Sequence, residues 1–219
     1  MSRFDICQER EINNSIIIIL HSLINLFIEQ IKETTWVQWL AVALGVAEVL
    51  LARVNNIWLY PAGILGTALS ILLLMEAQLF AESLLNVYYI VMSVYGWIYW
   101  VKKRDQPPVK VTWSTQTEWI ISLSISLGGW AVLYFLLRYF TPSNVPLWDA
   151  FVSSTAWAGM WLLARRKIEN WIFLNISNLF AVPLLFYKKL PMFAVLTIFL
   201  FIVACFGYFD WKRKAVSFE

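Results

Sequence analysis

The stretch Leu162–Asn178, LLARRKIENWIFLNISN, joins a basic cluster to an apolar run that begins at Trp171 and contains Asn175 and Asn178. A similar stretch, LLARVNNIW, occupies residues 50–58. The second copy lies about half a chain length after the first, so the sequence has to be compared with itself before individual motifs are interpreted.

Both copies lead to a matching end. Residues 95–97 read YGW and are followed by WVKK at 100–103, while residues 206–208 read FGY and are followed by WKRK at 211–214. The LLA triplet precedes the glycine by 46 residues in the first copy and by 45 in the second. Two matched ends at nearly matched spacing predict two repeats of one membrane unit.

The composition is that of an integral membrane protein. Of the 219 residues, 60% are hydrophobic and 14% charged, and the mean hydropathy is +0.66. Several apolar runs reach the roughly 20 residues that a helix needs to cross a bilayer. The single His21 and the two cysteines, Cys7 and Cys205, offer no haem, zinc or acid–base constellation, so no cofactor and no metal are expected.

The apolar runs predict an all-α membrane fold. Ser15–Ile28 is predicted to form an N-terminal membrane helix, although an interfacial helix remains open. Seven further segments are predicted at Trp36–Leu51, Ile57–Met75, Phe80–Trp100, Glu118–Phe140, Asp149–Ala164, Asn170–Tyr187 and Pro191–Trp211. Pro61 and Pro183 lie inside apolar segments, where proline frees a backbone carbonyl and kinks the helix.

Loop charges predict the orientation. Leaving Arg3 and Arg10 aside, 11 Lys and Arg residues fall on one side of the predicted helices and 4 on the other. If Ser15–Ile28 spans the membrane, these two join the first side and make it 13 against 4. The positive-inside rule places the basic linker and the C-terminus in the cytoplasm. Two three-helix repeats can share one orientation only if an additional helix separates them, and Glu118–Phe140 has no counterpart in either repeat.

The predicted organisation is therefore three helices, one linker helix and three helices, with parallel repeats and a solute held between them near the midplane. The chain divides into residues 1–35 with the extra membrane helix, 36–104 as the first repeat, 105–140 as cytoplasmic linker and linker helix, and 141–219 as the second repeat with its basic tail.

Polar residues inside apolar segments mark candidate functional faces, because they are costly in hydrocarbon. Steps of three and four place three sets of residues on single helix faces. The sets are Glu82, Asn86, Tyr89, Ser93 and Gly96; Asp149, Ser153, Trp157 and Trp161; and Trp171, Asn175 and Asn178.

Some of these residues have a simpler interpretation. Ser93, Ser153 and Gly96 are typical of helix packing in membranes. Asn86, Asn175 and Asn178 favour a binding role, because an amide left unpaired in an apolar span is costly.

Glu48 and the aromatic rings indicate the charge and shape of a solute. The Glu48 side chain either extends toward Arg53 at the cytoplasmic end or is the counter-charge of a cationic solute. Trp157 and Trp161 continue a polar stripe and are candidates for lining the site. Rings, amides and a carboxylate suit a flat, positively charged heteroaromatic solute.

Over residues 36–214 the chain resembles the PnuC family of vitamin transporters. The resemblance rests on QLFAE at 78–82, VYGW at 94–97, WDA at 148–150 and RKIENW at 166–171, together with Asn178. The resemblance implies a SWEET-like fold, homotrimers and facilitated diffusion of nicotinamide riboside across the bacterial inner membrane. A cytoplasmic kinase then traps the vitamin by phosphorylation for NAD biosynthesis.

With this resemblance, Trp157, Trp161 and Trp171 are expected to stack on the solute, while Asn86, Tyr89 and Asn178 hydrogen-bond to it. Leu174 stands where the family commonly has a second tryptophan, so thiamine, another cationic ring system, is the alternative solute. A membrane-embedded transferase is the alternative of another class. It would have to rely on Asp149 and Glu82, beside which the sequence has no histidine, metal cluster or phosphate loop.

Overall fold

The computed structural model describes residues 18, 20–76, 80–102, 110–188 and 190–216, and this part of the chain is helical apart from turns and one isolated bridge. Helix α1 covers residues 20–33 and so continues past the predicted end at Ile28. The other helices are α2 (Trp36–Arg53), α3 (Leu59–Glu76), α4 (Phe80–Lys102), α5 (Gln116–Phe140), α6 (Pro146–Ala164), α7 (Asn170–Tyr187) and α8 (Pro191–Val216). The all-α fold is confirmed, and each of the seven predicted segments after the first coincides with a helix whose ends differ by a few residues. The start of the predicted segment Ser15–Ile28 lies outside the described residues.

Two helices begin at capping boxes that can be recognised in the sequence. The Thr35 side chain accepts from the Gln38 backbone N–H, and the Gln38 side chain accepts from the Thr35 N–H at 2.7 Å. Thr115 and Glu118 repeat this arrangement at the start of α5. Because each box satisfies two backbone donors, the chain enters both helices at fixed positions.

Six of the helices form a closed ring. Following the contacts, α2 packs on α3, α3 on α4, α4 on α6, α6 on α7, α7 on α8, and α8 returns to α2. Helix α5 packs on α6 and takes no place in the ring. The helices α2–α4 and α6–α8 therefore surround a common axis.

The largest buried cluster lies at the end of the ring where α2, α4, α6 and α8 terminate. We call it the basic end, because it carries Arg53, Arg165, Arg166 and Lys167. Its buried members come from all six ring helices and the linker: Ala52, Leu59, Tyr60, Trp100, Val111, Leu163, Ile168, Trp171, Ala204 and Trp211. This end of the ring is thus closed by aromatic and aliphatic packing.

The linker before α5 is bound to the turn between α6 and α7. Thr112 donates its backbone N–H to the Arg166 carbonyl oxygen at 3.2 Å and accepts from the Ile168 N–H at 3.1 Å. Glu118 forms ion pairs with Arg165 at 3.2 Å and Lys167 at 3.0 Å. These contacts fix the start of α5 against the turn that joins α6 to α7.

Four of the described helices are long and apolar enough to cross a membrane. They are Trp36–Arg53, Gln116–Phe140, Asn170–Tyr187 and, within α8, Phe193–Ala215. Leu59–Leu73 of α3 is a shorter apolar helix. The protein is therefore a multi-pass membrane protein, and spanning by the remaining segments stays a prediction.

Candidate functional site

Glu48 of α2 lies among the three ring helices that precede α5 in the chain, α2–α4. Its half-buried carboxylate packs against Gly63 of α3, where it occupies the space that a side chain at position 63 would need. The phenols of Tyr60 and Tyr89 are close enough to interact with it electrostatically. A carboxylate, two phenols and a glycine thus meet where α2, α3 and α4 converge.

Arg53, the expected partner of Glu48, is engaged elsewhere. Its Nε lies 2.6 Å from Oδ2 of Asp210, and its guanidinium stands 5.1 Å from the centre of the Phe206 ring. Among the described residues, no ion pair is formed by Glu48. Of the two interpretations of Glu48, the geometry favours a charge available to a solute.

Trp157 lies at the junction of α4, α5 and α6. Its ring stacks on that of Tyr88 with a centroid distance of 4.4 Å, and a side chain at Gly129 of α5 would meet it at 3.5 Å. Its indole nitrogen is buried and finds no hydrogen-bond partner in the described part of the chain. The ring therefore sits between helices, where a solute reaches it only if Tyr88 moves aside.

Tyr88 is the residue that sequence reasoning missed. The helical period selected Tyr89, which does approach Glu48, but its neighbour donates its hydroxyl to the Trp157 carbonyl oxygen at 3.2 Å. The two tyrosine rings also meet edge to face at 6.2 Å. No spacing rule singles out Tyr88, because its partner is 69 residues away.

The other two predicted stacking residues have packing partners. Trp161 is part of a cluster with Ala158 and Phe173, and the Arg165 guanidinium lies 5.2 Å from the centre of its ring. Trp171 is 1% exposed and meets Trp211 edge to face at 5.6 Å. In this conformation both rings pack against other side chains, and the Trp171 indole nitrogen has no partner among the described residues.

The two asparagines of α7 occupy different surroundings. Ser177 donates to the Val152 carbonyl oxygen at 2.8 Å and fixes one face of α7 on α6. Asn175 faces α8, with its Oδ1 3.8 Å from the Cys205 sulfur, in a cavity of about 310 Å³ that is lined by half-buried and exposed residues. Asn178 is half-buried and makes no hydrogen bond with the described residues. It is the better candidate for a solute contact.

Some of the remaining polar positions lie in contacts between helices, and others lie at the end of the ring opposite the basic end. Ser93 is buried, and Gly96 allows Tyr60 to approach α4. Asn86 is half-buried and has an interaction partner, while the Glu82 side chain lies outside the described residues. Asp149 pairs with Lys188 at 2.6 Å and accepts from Ser143 at 2.6 Å, at the end opposite the basic end.

The turn between α6 and α7 carries positively charged side chains at the basic end. The Arg166 guanidinium stands 3.5 Å from the centre of the Trp100 ring. Burial lowers the pKa of this guanidinium, and the nearby Tyr60 raises it. The described residues contain no group of acidic, His and Cys side chains that could hold a metal ion.

A ring of apolar helices that carries a carboxylate, phenols and amides within its spans is typical of a small-solute membrane transporter. The chain belongs to the nicotinamide mononucleotide transporter family, whose model matches residues 35–213. Because this family consists of transporters, the protein is a transporter and not an enzyme.

Individual relatives agree with this assignment. The nicotinamide riboside transporters PnuC of Escherichia coli (strain K12) and Shigella flexneri are each 22% identical over 209 residues, covering 84% of this chain and 87% of the relative. The crystal structure of the vitamin B3 transporter PnuC matches with a TM-score of 0.68 at 19% identity, covering 91% of this chain and 90% of that one. The fold of this transporter is therefore shared, and the resemblance to the PnuC family is confirmed.

Proposed function

We propose that this protein carries nicotinamide riboside across the bacterial inner membrane by facilitated diffusion. The observation that supports this most is Glu48, a half-buried carboxylate without an ion-pair partner among the described residues, beside Tyr60 and Tyr89. Nicotinamide riboside carries a pyridinium ring, whose positive charge Glu48 would neutralise and whose faces suit phenol rings. The names of the relatives point to the same solute.

The charge distribution favours the riboside over its phosphorylated form. A phosphate group is normally held by Arg or Lys. The helices of the ring carry such residues only near their C-terminal ends, for example Arg53 and Lys214, whereas Glu48 lies farther inside α2. A mononucleotide would meet a like charge at Glu48.

The parallel-repeat arrangement is supported by contacts that recur 111 positions apart. Gly96 packs on the Tyr60 ring, and Gly207 packs on the Trp171 ring. Both pairs match under this shift. Asn55 and Arg166 are also 111 positions apart, and they are the two described non-glycine residues with positive φ, at 61° and 56°.

The position of α5 fits a linker helix between two such repeats. It contacts α6 from outside the ring, so the ring itself consists of α2–α4 followed by α6–α8. An odd number of connecting helices gives both triplets the same orientation. Under this proposal the solute binds between the triplets, and Pro61 in the first turn of α3 and Pro183 inside α7 are flexible points, one in the second helix of each triplet.

Glu48, Tyr89, Asn86 and Asn178 form the proposed solute contacts, of which Asn178 comes from the second triplet and the other three from the first. Once the solute enters, the indole of Trp157 would stack on the aromatic ring of the solute in place of the Tyr88 phenol. Trp161, Trp171 and Asn175 act mainly through packing in the present conformation and would reach the solute only after the helices move.

The wider physiological proposal follows the family resemblance. The basic end faces the cytoplasm, the protein forms a homotrimer, and a cytoplasmic kinase traps the riboside by phosphorylation. The excess of Lys and Arg at the basic end supports this orientation.

Thiamine is the second candidate solute. Leu174, where the family commonly has tryptophan, packs against Gly159 of α6, at 2.9 Å from a side chain built there. The aromatic surface that a tryptophan would supply is therefore absent at this position. A site with less aromatic surface relies more on Glu48, which suits the thiazolium ring of thiamine equally well.

Calorimetry on purified protein in detergent tests these proposals. Nicotinamide riboside, nicotinamide mononucleotide and thiamine are titrated separately. Micromolar or tighter binding of the riboside alone is expected, and binding of thiamine alone would overturn the solute while leaving the transporter. Uptake into proteoliposomes that persists with ionophores would support facilitated diffusion, and its loss would contradict that mechanism.

A further inference from the structure

Trp100 and Trp211 connect the two helix triplets through hydrogen bonds that are equivalent to each other. Trp100, at the end of α4, donates its indole N–H to the Ala164 carbonyl oxygen of α6 at 2.9 Å. Trp211, near the end of α8, donates to the Ala52 carbonyl oxygen of α2 at 3.0 Å and shares this N–H with the Arg53 carbonyl oxygen at 3.1 Å. Each tryptophan thus reaches from its own triplet to the end of the first helix of the other.

Within each triplet the tryptophan is held by an aromatic partner. Trp100 meets Tyr60 edge to face at 5.1 Å and 89°, and Trp211 meets Trp171 at 5.6 Å and 88°. These ring contacts join helices of one triplet, so they can persist when the triplets move apart. The indole hydrogen bonds cannot, because each joins one triplet to the other.

Charged contacts reinforce both hydrogen bonds at the same depth. Beside Trp211, Arg53 pairs with Asp210, and the Lys214 ammonium donates to the Val54 carbonyl oxygen at 2.9 Å. Beside Trp100, the Arg166 guanidinium covers the ring at 3.5 Å. All of these contacts link the two triplets at the basic end.

The opposite end is less tightly joined along the α2–α8 seam. There a cavity of about 280 Å³ separates Gln38 and Val42 of α2 from Phe193 of α8. The polar contacts between α2 and α8 among the described residues lie at the basic end. The α2–α8 seam is thus closed at the basic end and looser at the other.

We infer that Trp100 and Trp211 form a paired latch that holds the basic end closed and must release once in every transport cycle. The inference rests on the proposed function, in which a solute bound between the triplets leaves through this end. The latch is weak enough to release, because a hydrogen bond contributes only about 0.5–1.5 kcal/mol net. The acceptors are last-turn carbonyls, which water can solvate once the end opens.

The test replaces each tryptophan by phenylalanine, which keeps a ring for the edge-to-face contact and removes the donor. Trp97→Phe is the matched control, since this tryptophan is on the same helix as Trp100 but 40% exposed. All variants carry Cys7→Ser, Cys205→Ser and Ala52→Cys. Ala52 is 2% exposed within the cluster that closes the basic end, and the substitution leaves its backbone carbonyl in place.

Labelling of position 52 by a membrane-impermeant thiol reagent is followed in inverted vesicles and in intact cells. Trp100→Phe and Trp211→Phe are expected to accelerate labelling in inverted vesicles about fivefold each, the factor for one lost hydrogen bond of about 1 kcal/mol. The double variant should approach the product of the two factors if the bonds act independently. Unchanged labelling, an equal rise in Trp97→Phe, or a rise only in intact cells would overturn the latch.

A second measurement leaves Trp100 and Trp211 in place. Arg53→Cys and Asp210→Cys are joined by a cleavable bifunctional thiol reagent, which should stop riboside uptake until a reductant is added. Continued uptake by the cross-linked protein would overturn the proposal. Labelling requires no solute, whereas calorimetry tests solute binding, so failure of the latch and failure of the proposed function give different results.

Discussion

The ring of Tyr88 stacks on the ring of Trp157 at a centroid distance of 4.4 Å with 28° between the planes, and the Tyr88 hydroxyl donates to the Trp157 carbonyl oxygen at 3.2 Å. The two residues belong to α4 and α6, which meet in the ring although α5 separates them along the chain. This pair therefore joins the two helix triplets in the middle of the protein.

Tyr88→Phe should lower the free energy of unfolding by about 1 kcal/mol, because it removes one hydrogen bond and keeps the stack. Tyr88→Leu should lower it further, since the stacked pair contributes about 0.5–1.5 kcal/mol more. Thermal unfolding in detergent measures both. Tyr187, which is 65% exposed, provides the control through the same two substitutions. Equal losses at positions 88 and 187 would contradict the role of the pair.

Glu48→Gln should weaken binding of nicotinamide riboside by about 10- to 100-fold, the range for losing a charged hydrogen-bond partner of about 1.5–3 kcal/mol. Binding of uncharged nicotinamide should change little, because it offers no positive charge. Calorimetry compares the two ligands, and Glu33→Gln on exposed α1 is the control. An unaltered riboside affinity would remove Glu48 from the site.

Asn178→Ala is expected to abolish saturable riboside uptake without lowering the amount of protein in the membrane. Its amide is half-buried and makes no hydrogen bond with described residues, so its loss costs little stability. Asn175→Ala, one turn earlier on the α7–α8 seam, should have the smaller effect on uptake. The reverse order of the two variants would show that the solute lies on the other face of α7.

Gly96→Ala and Gly207→Ala should each destabilise the protein by about 1–3 kcal/mol through overpacking. The new Cβ would lie 2.5 Å from Cε1 of Tyr60 in the first case and 2.7 Å from Cε2 of Trp171 in the second. Equal melting-temperature losses at the two sites would support their equivalence in the repeats.

Gly128→Ala supplies the control for these glycines, because nothing lies within 4 Å of a side chain built there. Alanine in an open helical position should stabilise by about 0.5–1 kcal/mol. A melting temperature that rises for Gly96→Ala as it does for Gly128→Ala would show that Tyr60 can move away without cost.

The sequence alone determined the class of protein and the positions of its helices. Long apolar runs with few charges can bury their backbone groups in a bilayer only as helices. The spacing of the LLA triplets, the glycines and Trp100 and Trp211 predicted two related units, and the side chains at these positions make matching contacts in the structure. The acidic Glu48 was also visible, because a carboxylate stands out in an apolar helix.

Only the tertiary structure decided which partners these residues have. Arg53 pairs with Asp210 and not with Glu48, Tyr88 and not Tyr89 reaches Trp157, and Trp161 packs against its own cluster. Helical spacing tells which residues share a face of a helix. When a helix is apolar on all sides, however, its sequence does not indicate which neighbouring helix that face contacts. That direction is set by contacts between residues far apart in the chain.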